Sequence, residues 1–105
     1  MGLFGLFGSK KKKIADYMSR GAIVLDVRTK REYEAGAIPG SKLVPLQQLS
    51  VHLPEVKKWN KPVITCCASG IRSGTAASIL RANGIEAMNG GGWFSLNKKL
   101  DRLNE

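Results

Sequence analysis

The chain reads as an α/β domain, a mainly parallel sheet of four or five strands with helices on both faces. Three observations predict it. Short apolar or β-branched runs alternate with stretches of helical spacing. Glycines stand where the helices should stop, at Gly21 and Gly84. The polar and reactive residues collect just after the strand candidates, where ligands sit in parallel sheets. At 105 residues and 43% hydrophobic content, the chain has material for one core.

Residues 1–13 read as a flexible, apolar and lysine-rich segment ahead of a single domain over 14–105. The run Met1-Gly-Leu-Phe-Gly-Leu-Phe-Gly-Ser is too short to span a bilayer. It lacks the basic start of a signal peptide. Leu6 stands where a myristoylation motif needs Ser or Thr. Ile14 to Arg20 then predicts a short helix ended by Gly21. Ala22 to Asp26 is a compact apolar run, a buried strand with Asp26 and Arg28 at its polar end. Thr29 or Lys30 opens a short helix around Glu32 to Ala35, which Gly36, Pro39 and Gly40 break.

Lys42 to Val44 reads as a short strand. Leu46, Leu49, Leu53 and Val56 have helical spacing, but Pro54 predicts a helix over 46–52, a turn, and one more helical turn before Lys61. Val63 to Cys66 is the central strand, with Pro62 at its edge. Ser73 to Asn83 is a helix whose Ala76, Ile79 and Leu80 share a face. Ile85 to Asn89 is the last strand, ending in Gly90-Gly91-Gly92. Ser95 is placed to cap a final helix that ends near Leu103.

Composition narrows the function. Seventeen basic and eight acidic residues give +9, and Lys10 to Lys13 supply four of those charges. Such a run reads as a solvated tail, so no nucleic-acid partner is expected. A weak membrane-surface contact by the N-terminal segment and attraction of a small anionic substrate both fit the charge. Cys66 and Cys67 are neighbours with no distant cysteine to pair with, which argues against a disulfide framework and for free thiols in a reducing cytoplasm. His52 is the lone histidine, so neither a metal site nor a cofactor is expected. A monomer is expected.

The richest segment is Thr65-Cys-Cys-Ala-Ser-Gly-Ile-Arg-Ser73. A strand delivers two thiols to a small loop that leads through Arg72 into a helix. Such a loop places a thiolate in a cup of backbone N–H groups. Gly70 supplies the turn, and Ala68 and Ser69 are small enough to line it. Ile71 should point outward. Arg72 can neutralise an anion through two parallel hydrogen bonds. Ser73 either donates its hydroxyl or helps begin the helix. Two registers are open: Cys67 reaches Arg72 as C-x4-R, and Cys66 reaches it as C-x5-R. Cys66, a strand neighbour, should point away from the nucleophile and pack as a small hydrophobe.

Cys67-Ala-Ser-Gly-Ile-Arg-Ser73 resembles the C-x-x-G-x-R-S loop of rhodanese-type sulfurtransferases. Leu25-Asp-Val-Arg28 with Glu32-Tyr33 and Gly36-Ala-Ile-Pro-Gly-Ser41, and Gly90-Gly-Gly-Trp93, resemble two further family segments in the same order. The resemblance spans roughly residues 14–103. It implies a rhodanese-like fold and a persulfide cycle. Cys67 would take sulfane sulfur from a small anionic donor such as thiosulfate and pass it to cyanide, a thiol or a protein. Arg72 would position the donor and brace the loop. The backbone N–H groups of Ala68 to Arg72 would cradle the persulfide, Ser73 would stand with Ala68, Ser69, Gly70 and Ile71 among the substrate-binding residues, and Asp26 and Arg28 would support the loop. Ala37 departs from the family, which often has His there.

Two alternatives stay open at this level. One is phosphatase or arsenate-reductase chemistry on Cys66, although Thr65 stands where that signature has His. The other is a rhodanese-like module that binds partners without catalysis.

Overall fold

A computed structural model describes the backbone of residues 2–105 and the side chains of residues 10–105. Four strands form one parallel sheet in the order β2-β1-β3-β4. These are β1 (Ile23–Asp26), β2 (Lys42–Leu43), β3 (Val63–Cys67) and β4 (Ala87–Gly92). Five helices surround them: α1 (Gly2–Ser19), α2 (Lys30–Ala35), α3 (Leu49–Lys58), α4 (Ile71–Ala82) and α5 (Trp93–Leu103). Of the four or five strands expected, four are present among the described residues. None of the helices is long and apolar enough to cross a membrane.

Side chains on β3 alternate between the two faces, as the two-residue repeat of a strand requires. Val63 and Cys67 join Leu49 and Val56 of α3 and Ala76, Ala77 and Leu80 of α4. Ile64 and Cys66 join Ile14 and Tyr17 of α1 and Leu96 and Leu100 of α5. The helices therefore cover both faces, and the two adjacent cysteines belong to different cores.

Four elements depart most from the expected bounds, and α4 also starts two residues before the expected Ser73. The helix expected from Ile14 is continuous from Gly2, because Lys10 to Lys13 are good helix formers and Ile14 and Tyr17 anchor its end in the core. Pro54 lies inside α3. A 3-10 turn over Leu46–Gln48 leads straight into that helix, and proline leaves unbonded only the carbonyl of Ser50, an exposed residue that water can reach. α5 starts at Trp93 with Gly92 as its cap rather than at Ser95.

β4 begins at Ala87 and runs through the three glycines instead of ending before them. Close approach explains this. A Cβ on Gly90 would stand 2.7 Å from Ile64 Cγ2 and 2.8 Å from the Thr65 carbonyl. One on Gly92 would stand 2.9 Å from the Ala68 carbonyl. Of these three glycines only Gly91 has a left-handed φ, +88°. Gly92, at φ −68°, is glycine for space alone.

Crossovers leave β1 and β3 toward opposite edges of the sheet, so the gap between their carboxyl ends is the switch point where parallel sheets bind ligands. Asp26 and Cys66 are register partners at that gap.

Candidate active site

The β3–α4 loop wraps around one sulfur atom. Cys67 Sγ accepts the Gly70 N–H at 3.0 Å and the Ser73 N–H at 3.4 Å, and lies 3.3 Å from Ser73 Oγ. Gly70 makes this possible, turning the chain at φ +102° where side chains are disfavoured. It caps α4 without a side-chain bond, so the Ser73 N–H in the first helical turn is left for the sulfur. Ala68 and Ser69 are exposed on the loop, Ile71 points outward at 79% exposure, and Ser73 is buried.

Burial by itself raises the Cys67 thiol. The Ser73 hydroxyl and the N–H groups of Ser73, Gly70 and Ser69 more than offset that, and the pKa lies below the ordinary thiol value. Cys66 meets the opposite fate. Burial, then the charge of Asp26, push its thiol up to about 12. It is fully buried on the other face of the sheet and stays protonated at neutral pH. The C-x5-R register thus starts from a buried thiol on the face of the sheet away from the loop, a setting less suited to a nucleophile than that of Cys67.

Arg72 is engaged from the side. Its Nη1 and Nη2 donate to the two carboxylate oxygens of Glu32 at 2.7 and 2.9 Å. This pairing lowers the Glu32 pKa to about 2, with the Thr29 N–H adding to the effect. Thr29 and Glu32 also form the reciprocal cap that starts α2. Arg72 therefore ties the Cys67 loop to α2. Turning the guanidinium toward an anion requires opening that pair. A cleft of about 330 Å³ lies beside it, lined in part by Arg28, Thr29, Leu46, Gln47 and Arg72.

Asp26 and Arg28 bind each other rather than the loop. Arg28 Nε and Nη2 donate to the Asp26 carboxylate at 2.7–3.0 Å, with both side chains almost fully buried. Arg28 Nη2 also donates to the Gly36 carbonyl at 2.7 Å, and its guanidinium lies 4.7 Å from the centre of the Trp93 ring. Their link to Cys67 is indirect: Arg28 fixes the end of α2, and α2 presents Glu32 to Arg72.

Two contributors escaped the sequence reading. Asn89 of β4 donates from Nδ2 to the Gly70 carbonyl at 2.9 Å and accepts the Ser73 hydroxyl at 2.7 Å. No local signal marks it, since a lone Asn before glycines reads as a turn residue. Lys10 is the other. Its Nζ stands 3.5 Å from where a Cβ on Gly91 would lie, and that glycine packs on Gly70. A cation from α1 thus reaches the edge of the loop. Among the described residues no three His, Cys, Asp or Glu side chains converge to hold a metal ion.

Comparison with known proteins agrees with this geometry. The sequence model described as the rhodanese-like domain matches residues 10–98. The chain is 43% identical over 65 residues to the uncharacterized protein YqhL of Bacillus subtilis, covering 62% of this chain and 51% of that one. It thus spans about half the length of that relative. It is 35% identical over 72 residues to the thiosulfate sulfurtransferase GlpE of Pseudoalteromonas translucida, covering 66% of this chain and 68% of that one. Among solved structures, a rhodanese with anions from E. coli superposes with a TM-score of 0.64 at 28% identity, covering 70% of this chain and 89% of that one.

Proposed function

The chain belongs to the rhodanese-like domain family, and from that premise we propose that it is a sulfurtransferase acting through a persulfide on Cys67. The observation that carries this reading is the contrast between the two thiols. Cys67 sits among N–H and hydroxyl donors that favour its anion, while Cys66 is held neutral. A thiolate surrounded by donors attacks soft electrophiles such as sulfane sulfur. Likeness to a thiosulfate sulfurtransferase of similar extent supports the same chemistry.

In the first half-reaction the Cys67 thiolate attacks the outer sulfur of an anionic donor such as thiosulfate. The donor S–S bond breaks, sulfite leaves with the electron pair, and the terminal persulfide sulfur carries the negative charge. The N–H groups at the loop face that charge, and no proton needs to move. In the second half-reaction cyanide, a thiolate or a protein acceptor attacks the terminal sulfur. Cys67 returns as thiolate and the acceptor departs with the sulfur. Lys10 at the rim draws the anion in, and Arg72 adds its charge when it leaves Glu32.

Purified protein given thiosulfate and cyanide should form thiocyanate, and Cys67→Ser should abolish it while Cys66→Ser does not. Phosphate release from a generic phosphate ester in place of thiocyanate would overturn the proposal. Absence of any turnover would favour a module that binds partners without catalysis.

A further inference from the structure

The polar groups that hold the Cys67 loop converge on Asn89. Its amide orientation is set by partners that each have one role. The Gly70 carbonyl only accepts and the Gly91 N–H only donates, so Nδ2 faces the first and Oδ1 the second, each at 2.9 Å. The same Oδ1 lies 2.7 Å from Ser73 Oγ. The start of α4 is shaped to admit this side chain, since a Cβ on Gly74 would stand 3.2 Å from Asn89 Nδ2. Thr65 Oγ1 fixes the other end of Ser73 by donating to its carbonyl at 2.7 Å.

We propose that Asn89 is a positioning residue for Cys67, tethering through Nδ2 the Gly70 turn whose N–H bonds the sulfur, and holding the Ser73 hydroxyl hydrogen on Oδ1 while Cys67 is a thiol. The inference rests on Cys67 being the nucleophile, and Asn89 acts only through these two neighbours.

A count of protons shows how. Ser73 Oγ carries one hydrogen. While Cys67 is a thiol, that hydrogen goes to Asn89 Oδ1, and the S–H donates to Ser73 Oγ 3.3 Å away. When the thiol proton leaves to solvent, the Ser73 hydroxyl turns to the sulfur and gives up its bond to Oδ1, so that bond by itself favours the thiol. Oδ1 is not orphaned by this, because the Gly91 N–H still bonds to it. Nδ2 works the other way: by holding the Gly70 carbonyl it fixes the turn at Gly70, whose N–H on the preceding peptide unit bonds Sγ at 3.0 Å.

The test is the pH dependence of alkylation by iodoacetamide in the full chain, read at Cys67 by mass spectrometry. In a Ser73→Ala background, where only the tether to Gly70 is left to lose, Asn89→Ala should move the midpoint to higher pH and slow alkylation at neutral pH by up to about tenfold. The high-pH plateau should stay where it is. Ser73→Ala alone should also raise the midpoint, by removing a donor to the thiolate, and with Ser73 present Asn89→Ala should raise it less, because the freed hydroxyl then serves the sulfur without competition. An unmoved midpoint for Asn89→Ala in a folded Ser73→Ala background, or an equal rise in both backgrounds, would overturn the proposal. If the alanine variant does not fold, Asn89→Ser takes its place, removing the reach to Gly70 without adding a charge. Its midpoint must then rise in the Ser73→Ala background. Alkylation needs no sulfur donor, so these outcomes stand whether or not the protein transfers sulfur.

Discussion

Replacing Glu32 by glutamine isolates the charge that Arg72 leans on. Glutamine retains an oxygen for the Thr29 N–H, so the cap of α2 survives while the ion pair is lost. The pair is bidentate at 2.7 and 2.9 Å, but its side chains are 36% and 34% exposed, so solvent screens it. A stability loss of about 0.5 kcal/mol is expected at neutral pH. The pH dependence is the sharper signature. The carboxyl group titrates near 4.5 when free and at about 2 in the fold, so its contribution is full above 4.5 and fades as pH falls toward 2. Urea titrations at a series of pH values should show wild type and Glu32→Gln separated at pH 7 and converging in acid. A gap that stays constant through this window would refute the assignment. Glutamine also frees the guanidinium beside the loop, so the variant should show a lower KM for an anionic donor. Unchanged or higher KM would mean that Arg72 acts only as a brace.

Other consequences follow from packing. Gly90→Ala forces a methyl group to 2.7 Å from Ile64 Cγ2 and against the Thr65 carbonyl, so it should cost about 1–3 kcal/mol in a thermal or urea melt. Asp26→Asn removes the charge that balances a buried Arg28 and should cost about 3–5 kcal/mol, with a matching fall in melting temperature. Cys66→Ala shortens a core side chain on the face away from the loop. It should cost about 1 kcal/mol while leaving the pH profile of Cys67 alkylation in place.

Much of the fold is legible locally. Alternating apolar runs and helix stops at Gly21 and Gly84 place most of the elements, because strand and helix periodicity and positive φ are written in short windows. The Cys67 loop is legible for the same reason, since its thiol, turn glycine, arginine and serine lie within one short stretch. What is not legible depends on pairing across the sheet. Asn89 reaches Ser73 from 16 residues away and Glu32 reaches Arg72 from 40, distances that only the β1–β3–β4 neighbourhood closes. Pro54 misleads because its local penalty falls on a single carbonyl of an exposed residue, while Leu49 and Val56 anchor the helix on either side. The glycines of β4 mislead because their reason is the atoms of β3 and the active loop, not their own flexibility.

The central claim is that Cys67, and not Cys66, carries sulfur. Its most direct test is a mass spectrum of protein treated with thiosulfate, digested under non-reducing conditions, alongside Cys66→Ser and Cys67→Ser. One added sulfur atom located on Cys67, present in Cys66→Ser and missing in Cys67→Ser, is the predicted result. Added sulfur on Cys66, or none on wild-type protein under conditions that load an active rhodanese, would contradict it.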